Sequence, residues 1–175
     1  MRKGVDFMCK INDLFLKRES CRSFLNKKVE EESVVKIIES ARMAPSGKNR
    51  QPWRFVVVRN WNIKNQIADQ SIYNKWMKTA DVFIVVYMDR KSSYDKKKDN
   101  QSIGAAIENM CLQATALGLG TCWVGEILKN EKEVNSIIEV PPSYELMAVV
   151  CLGYIKERKE RPQRLSLNEL VYKSI

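Results

Sequence analysis

The 175-residue chain contains no histidine. That absence excludes a Ser-His-Asp or Cys-His nucleophile system, a histidine-containing metal site and an imidazole proton shuttle. The five cysteines, Cys9, Cys21, Cys111, Cys122 and Cys151, include no C-x-x-C pair and no zinc-ligand spacing. They read as small buried hydrophobes in a reducing compartment, not as a disulfide framework. No stretch reaches the roughly 18 apolar residues that span a bilayer. The N-terminal run through Asp6, Cys9, Lys10 and Asp13 never builds an apolar signal-peptide core, so a cytoplasmic protein is expected. Internal repeats, low-complexity stretches, the G-x-x-x-x-G-K-[ST] loop and the strand-initiated G-x-G-x-x-G fingerprint are also missing.

What is present amounts to one domain, 1–175, with 45% hydrophobic residues and enough length to build a core without staples. Thirty Lys and Arg against 21 Asp and Glu give a net charge of +9, which raises nucleic acid, an acidic surface or a phosphorylated ligand as partners. A basic nucleic-acid-binding protein is one alternative, with the Lys96 to Lys98 cluster on phosphates and Tyr94 or Trp61 stacking on bases. Against it, the basic tail is interleaved with Glu157, Glu160 and Glu169, and no helix-turn-helix, RNP-like or zinc signature occurs.

Hydrophobic spacing outlines the elements. Ile11 to Lys17 is a short amphipathic segment; Val34, Ile37, Ile38 and Ala41 follow a helical repeat that Ser33 could cap and Pro45 stops. Phe55 to Val58 reads as a strand, Ile63 to Met77 as a helix anchored by Trp61 and Trp76, and Val82 to Met88 as a central strand buried on both faces. A long helix from Ile103 to Leu117, capped by Asp99 or Ser102, ends at Gly118-Leu-Gly120 before the extended Thr121 to Val124. Glu133 to Ile138 suggests a short helix and Leu146 to Leu152 another apolar strand. Helices alternating with a few apolar strands imply a sheet covered on both sides. The basic tail from Lys156 keeps Leu165, Leu167, Leu170 and Val171, which suggests that it docks on its own domain or on a partner subunit.

Three regions carry groups suited to a large polar ligand. Arg18, Ser20 and Arg22 place two guanidiniums and a hydroxyl within five residues, although a solvated helix end would look the same. Ser46, Gly47, Lys48, Asn49 and Gln51 offer a hydroxyl, an ammonium and amides in a polar loop between two regular elements; the plain alternative is a surface turn. Gly118 to Glu126 sets backbone N–H groups beside the flat ring of Trp123, which also fits a helix end followed by a core tryptophan.

Taken in order, Arg18-Glu-Ser-Cys-Arg22-Ser-Phe24, Ala44-Pro-Ser-Gly-Lys-Asn-Arg-Gln-Pro-Trp53 before Phe55-Val-Val-Val58, Leu117-Gly-Leu-Gly-Thr-Cys-Trp-Val-Gly125, and Leu152-Gly-Tyr154 with Arg164 resemble the nitroreductase-like family of FMN-dependent oxidoreductases. The resemblance covers nearly the whole chain and is most specific from Ala44 to Trp53. It implies an α+β fold, a three-layer α/β/α sandwich with a mixed, mainly antiparallel central sheet, and an intimate homodimer with FMN at the subunit interface. The C-terminal segment, about 156–175, would reach onto the partner. By the same resemblance Arg18, Ser20, Arg22 and Arg164 would hold the FMN phosphate and neighbouring polar groups, and Pro45, Ser46, Gly47, Asn49 and Gln51 would contact the flavin. Trp123, Val124, Gly125 and Glu126 would lie along the isoalloxazine, with backbone N–H groups near Gly125 and Glu126 facing N5.

The activity so implied is hydride transfer from NAD(P)H and ping-pong reduction of an electron-poor acceptor such as a nitroaromatic or quinone. The cofactor carries that chemistry, so no catalytic protein side chain and no metal ligand is assigned, and the missing histidine is no obstacle. Arg22 and Lys48 are candidates to stabilise negative charge on reduced flavin, and Lys91 and Lys96 to Lys98 would suit a phosphorylated donor near the mouth. An FMN-binding module without nicotinamide-dependent turnover is the remaining alternative.

Overall fold

The computed structural model describes residues 11–160 and 162–175. Cys9 and the N-terminal run read above as lacking a signal core lie largely outside the described residues, as does position 161. Four strands, β1 (Trp53–Val58), β2 (Val82–Asp89), β3 (Leu119–Val124) and β4 (Tyr144–Tyr154), form one sheet in the order β1-β2-β4-β3. Every ladder between them is antiparallel. The parallel component among the described residues is the isolated bridge between Ser20 and Thr121. β2 is central and buried at every position, as its unbroken apolar run requires.

Alternation along the strands builds two cores. Val82, Ile84, Val86 and Met88 of β2, with Ala148, Val150 and Leu152 of β4, face the helices α2 (Glu31–Arg42) and α5 (Lys96–Ala116). Phe83, Val85, Tyr87, Val149 and Cys151 point the other way, onto α3 (Trp61–Ala68), α4 (Asn74–Met77) and α6 (Glu131–Ile138). The result is the expected helix–sheet–helix sandwich.

Local departures have local causes. α2 starts two residues before Ser33, behind Glu30, and relies on Glu31 and Glu32 in its first turn and Arg42 in its last to complement the helix dipole; Ser33 is not the cap. The single helix expected from Ile63 to Met77 is broken in two. α3 ends after Ala68, and the Ser71 hydroxyl, which accepts from the Tyr73 N–H at 3.1 Å, turns the chain before α4. Trp61 is no core anchor: it opens α3 beside the capping Asn60 and is 71% exposed, while Ile67 and Ala68 turn inward. Trp76 packs at the edge of the core. Asp95, not Asp99 or Ser102, caps α5 by accepting from the Lys98 N–H at 3.0 Å.

Residues 11–17 are helical (α1). Beyond Tyr154 the chain leaves the sheet, forms the short helix α7 (Leu167–Leu170) behind a Ser166/Glu169 capping box, and keeps Leu165, Leu167 and Leu170 exposed. Its leucines are therefore not buried on its own domain. Among the described residues no helix is long and apolar enough to cross a membrane.

Candidate functional site

The outer face of α5 connects the three regions marked in the sequence. Near its start, Lys98, Gln101, Ser102 and Ala105 share a cleft of about 290 Å³ with Pro45, Ser46, Gly47 and Tyr94. One residue before Ala105, the β-position of Gly104 lies 3.7 Å from the Trp123 ring. A turn further on, Glu108 meets the Arg18 guanidinium at 3.8 Å. At 1.5 Å per residue these contacts span about 15 Å of helix.

Arg18, Ser20, Arg22 and Arg164 line one cleft of about 410 Å³, together with Lys159, Glu160 and the exposed Phe15 and Leu16. Residues about 140 apart are brought together by two devices. The 18–24 segment lies on the sheet: Cys21 N–H donates to the Thr121 carbonyl at 2.8 Å, and Phe24 bridges to Ile155. Only glycine fits beneath it at position 120, because a β-carbon there would stand 2.8 Å from Cys21 Cβ. The returning tail is held by an Arg158–Glu19 ion pair, which leaves cations in the majority around the opening.

The loop from Pro45 to Pro52 is built against conformational preference. Lys48, Asn49 and Gln51 all occupy the left-handed region, with φ of 54°, 52° and 48°. For side chains other than Asn this costs on the order of 1 kcal/mol each. Internal bonds hold it: Ser46 Oγ accepts from Gln51 N–H at 3.0 Å, the Ser46 carbonyl accepts from Asn49 N–H at 3.0 Å, and the Gln51 amide donates to the Asn49 carbonyl at 3.1 Å. A one-turn 3₁₀ helix, Gly47–Asn49, stands where no regular structure is expected.

On the third region, Trp123 is 44% exposed, while Val124 turns its side chain into the core and leaves only its backbone for a ligand. Gly125 precedes the 3₁₀ turn Glu126–Asn130. The Glu126 carboxylate is engaged away from Trp123: it pairs with Lys129 and accepts from Ser71 Oγ at 2.6 Å and Ile72 N–H at 3.3 Å, which holds it below the usual glutamate range.

Sequence reasoning missed Tyr94 and Asp99 as parts of this region. Asp99 is buried and accepts from Ser93 Oγ at 2.7 Å, Tyr94 N–H at 3.0 Å and Asp95 N–H at 3.1 Å, clamping the turn that aims Tyr94 at the 45–49 loop. Burial raises its pKa, but these bonds outweigh it and the group stays below the ordinary aspartate value. The available signal was Asp95 and Asp99 one turn apart at the helix start, one to cap and one to brace. Another cleft, about 760 Å³, holds none of the residues marked for the flavin and lies by Ala80 and Asp81 at the other end of β2. Its Arg59 and Lys78 are already paired with Asp81 and Asp69.

The nitroreductase family model matches residues 16–72 and 63–154, spanning all of these features except the tail. The chain belongs to the nitroreductase family. An oxygen-insensitive NADPH nitroreductase of Helicobacter acinonychis is 42% identical to it, with 89% of this chain and 91% of that protein covered. An Archaeoglobus fulgidus protein named as an NADH dehydrogenase/NAD(P)H nitroreductase is 33% identical over 82% of this chain and 84% of its own. Among solved structures, a Desulfovibrio desulfuricans nitroreductase in complex with FMN superposes with a TM-score of 0.89 at 32% identity, covering 94% of this chain and 96% of that one. The family assignment accounts for the antiparallel α+β architecture and makes the protein an oxidoreductase.

Proposed function

We propose that the protein is an FMN-dependent NAD(P)H oxidoreductase that reduces small electron-poor acceptors, nitroaromatics and quinones among them, by a ping-pong cycle. The observation that carries this reading is the convergence of Arg18, Ser20, Arg22 and Arg164 on one cleft at the end of the α5 face that also carries Trp123 and the strained 45–51 loop. That donor set fits FMN: guanidiniums match a phosphate dianion, the hydroxyl and loop amides match ribityl and ring-edge polar atoms, and Trp123 supplies an apolar wall.

Bound FMN would supply a two-electron centre that takes hydride from NAD(P)H and passes the electrons to the acceptor. The chain's residues would do the rest by position. Arg18, Arg22 and Arg164 would neutralise the phosphate, and Ser46, Asn49 and Gln51 would orient the ring edge. Backbone N–H groups at Gly125 and Glu126 would face the reacting edge, since the Glu126 side chain is already engaged. Donor and acceptor would use one opening in turn, which is the physical basis of ping-pong kinetics.

The working unit in this reading is a cytoplasmic homodimer. The clefts that hold the marked residues are open in a single chain, and a flavin needs walls on both faces. The exposed Phe15, Leu16, Leu165, Leu167 and Leu170 supply an apolar surface for a second copy. The test is the visible spectrum of purified protein, followed anaerobically with NADPH and then NADH. Flavin bands that bleach support the reading. Bands that persist with both donors reduce it to an FMN-binding module, and a protein that neither retains nor takes up FMN refutes it.

A further inference from the structure

We infer that Lys48 and Lys98, gathered around the Tyr94 ring, form a recognition site for the 2′-phosphate of the nicotinamide donor, so that this protein selects NADPH over NADH. The inference rests on the oxidoreductase reading above and adds the donor's identity to it.

The Lys48 ammonium lies 5.1 Å and the Lys98 ammonium 5.4 Å from the centroid of the same ring. Lys98, from the first turn of α5, lines the cleft that Pro45, Ser46 and Gly47 share with that helix, and Lys48 comes from the strained loop that supplies those three residues. Neither ammonium is neutralised well. Lys48 makes no ion pair among the described residues, and Lys98 reaches only its own helix cap, Asp95, at 3.7 Å. The neighbouring cations differ in this respect: Lys96 and Arg90 both lie on Glu145, at 3.0 and 3.1 Å.

Both ammoniums lie within 5.4 Å of one ring centroid, and the negative face of an aromatic ring offsets their charge only in part. A phosphate dianion would offset both, and lysine is well suited to it as a flexible point charge. Gln101 on the same wall adds a neutral amide donor. NADPH and NADH differ only by that phosphate, so a site reading it discriminates between donors without touching the nicotinamide.

Tyr94 acts here as a positioning residue. Asp99 clamps its turn, and its hydroxyl rests where residue 47 has no β-carbon, so the ring cannot drift without leaving the flavin-side loop. An ordinary surface tyrosine has neither restraint.

The experiment titrates FMN-loaded, oxidised protein with NADP⁺ and with NAD⁺ by calorimetry, at low and high salt, in the wild type and in Lys98→Met, Tyr94→Phe and Tyr94→Ala. The expected result is NADP⁺ binding about tenfold or more tighter than NAD⁺, a gap that narrows with salt, and a loss of about tenfold for NADP⁺ alone in Lys98→Met. Tyr94→Phe should keep the preference and Tyr94→Ala should lose it. Equal affinities in the wild type, or equal losses for both nucleotides in Lys98→Met, overturn the inference while leaving the oxidoreductase reading intact. Protein that cannot be loaded with FMN overturns that reading first, and the inference with it.

Discussion

The Tyr94 hydroxyl occupies the space that a β-carbon on residue 47 would fill, with ring carbons Cε1 and Cζ 2.8 Å from that point. The two residues are 47 apart in sequence and meet because α5 returns to the mouth of the 44–52 loop. Gly47→Ala should therefore displace the ring and destabilise the protein by about 1 kcal/mol through overpacking. In a Tyr94→Ala background the same substitution should be close to neutral. A double-mutant cycle by urea unfolding reads the difference, and a cycle that sums to zero would mean that the contact carries no energy.

Arg18→Ala should weaken FMN binding by about ten- to a hundredfold, the loss expected for one charge-assisted contact to phosphate. Stability should scarcely change, because the ion pair of this guanidinium to Glu108 is long at 3.8 Å and near the surface. Calorimetric titration of refolded apoprotein with FMN checks the first expectation and thermal unfolding the second. Unchanged affinity removes Arg18 from the phosphate site.

Asp99 is more acidic in the folded protein than its ordinary value of 3.8, despite burial, because Ser93, Asp95 and Tyr94 donate to its carboxylate. A depressed folded pKa means that its stabilisation is present above that ordinary value and is lost as pH falls below it. Asp99→Asn should remove about 2 kcal/mol at neutral pH, since the three bonds share Oδ2, where a neutral amide oxygen accepts more weakly than a carboxylate, and the amide NH2 would be buried without a partner at the Oδ1 position. The gap between wild type and variant should close as pH drops below 3.8. Parallel denaturation curves from neutral to acidic pH measure it, and a gap independent of pH would contradict the assignment.

Cys122 and Cys151 face each other across β3 and β4, both buried and both free. Burial pushes the Cys122 thiol up to about 11 and Cys151 well above its ordinary value. With so little thiolate, both should resist an aromatic disulfide reagent at neutral pH and react only as fast as the protein unfolds. Peptide mapping after timed labelling distinguishes the sites, and rapid native labelling of Cys151 would show that the sheet opens locally.

Deleting residues 165–175 should leave the sheet core folded, because the leucines removed are 61 to 77% exposed and touch neither hydrophobic cluster. If those leucines cover a second copy, the truncated protein should dissociate at concentrations where the full chain is dimeric and should bind FMN more weakly. Sedimentation equilibrium with and without FMN tests both effects, and an unchanged dimer would assign the interface to other surfaces.

Much of this arrangement was legible in the linear chain. The unbroken apolar run Val82–Met88 specified a strand buried on both faces, and the Ile103, Ile107, Met110 and Ala114 stripe specified a long packed helix, because period and burial are local consequences of side-chain spacing. The order of the arginine, loop and glycine motifs identified the family before any geometry was known. Helix boundaries were less legible. The break after Ala68, the exposure of Trp61 and the choice of Asp95 as cap depend on which competing polar group wins a backbone N–H, and several candidates stood within a few residues of one another.

Other relationships were decided only in three dimensions. Nothing local joins Arg164 to Arg18: that requires the tail to return across the sheet and the 18–24 segment to lie on Gly120. Nothing local seats Tyr94 on Gly47, or engages Glu126 with Ser71. Such pairs are separated by tens of residues, and their meeting is set by strand order and helix placement. Composition and periodicity thus determined the layers and the kind of chemistry, while long-range packing chose which charges face one another.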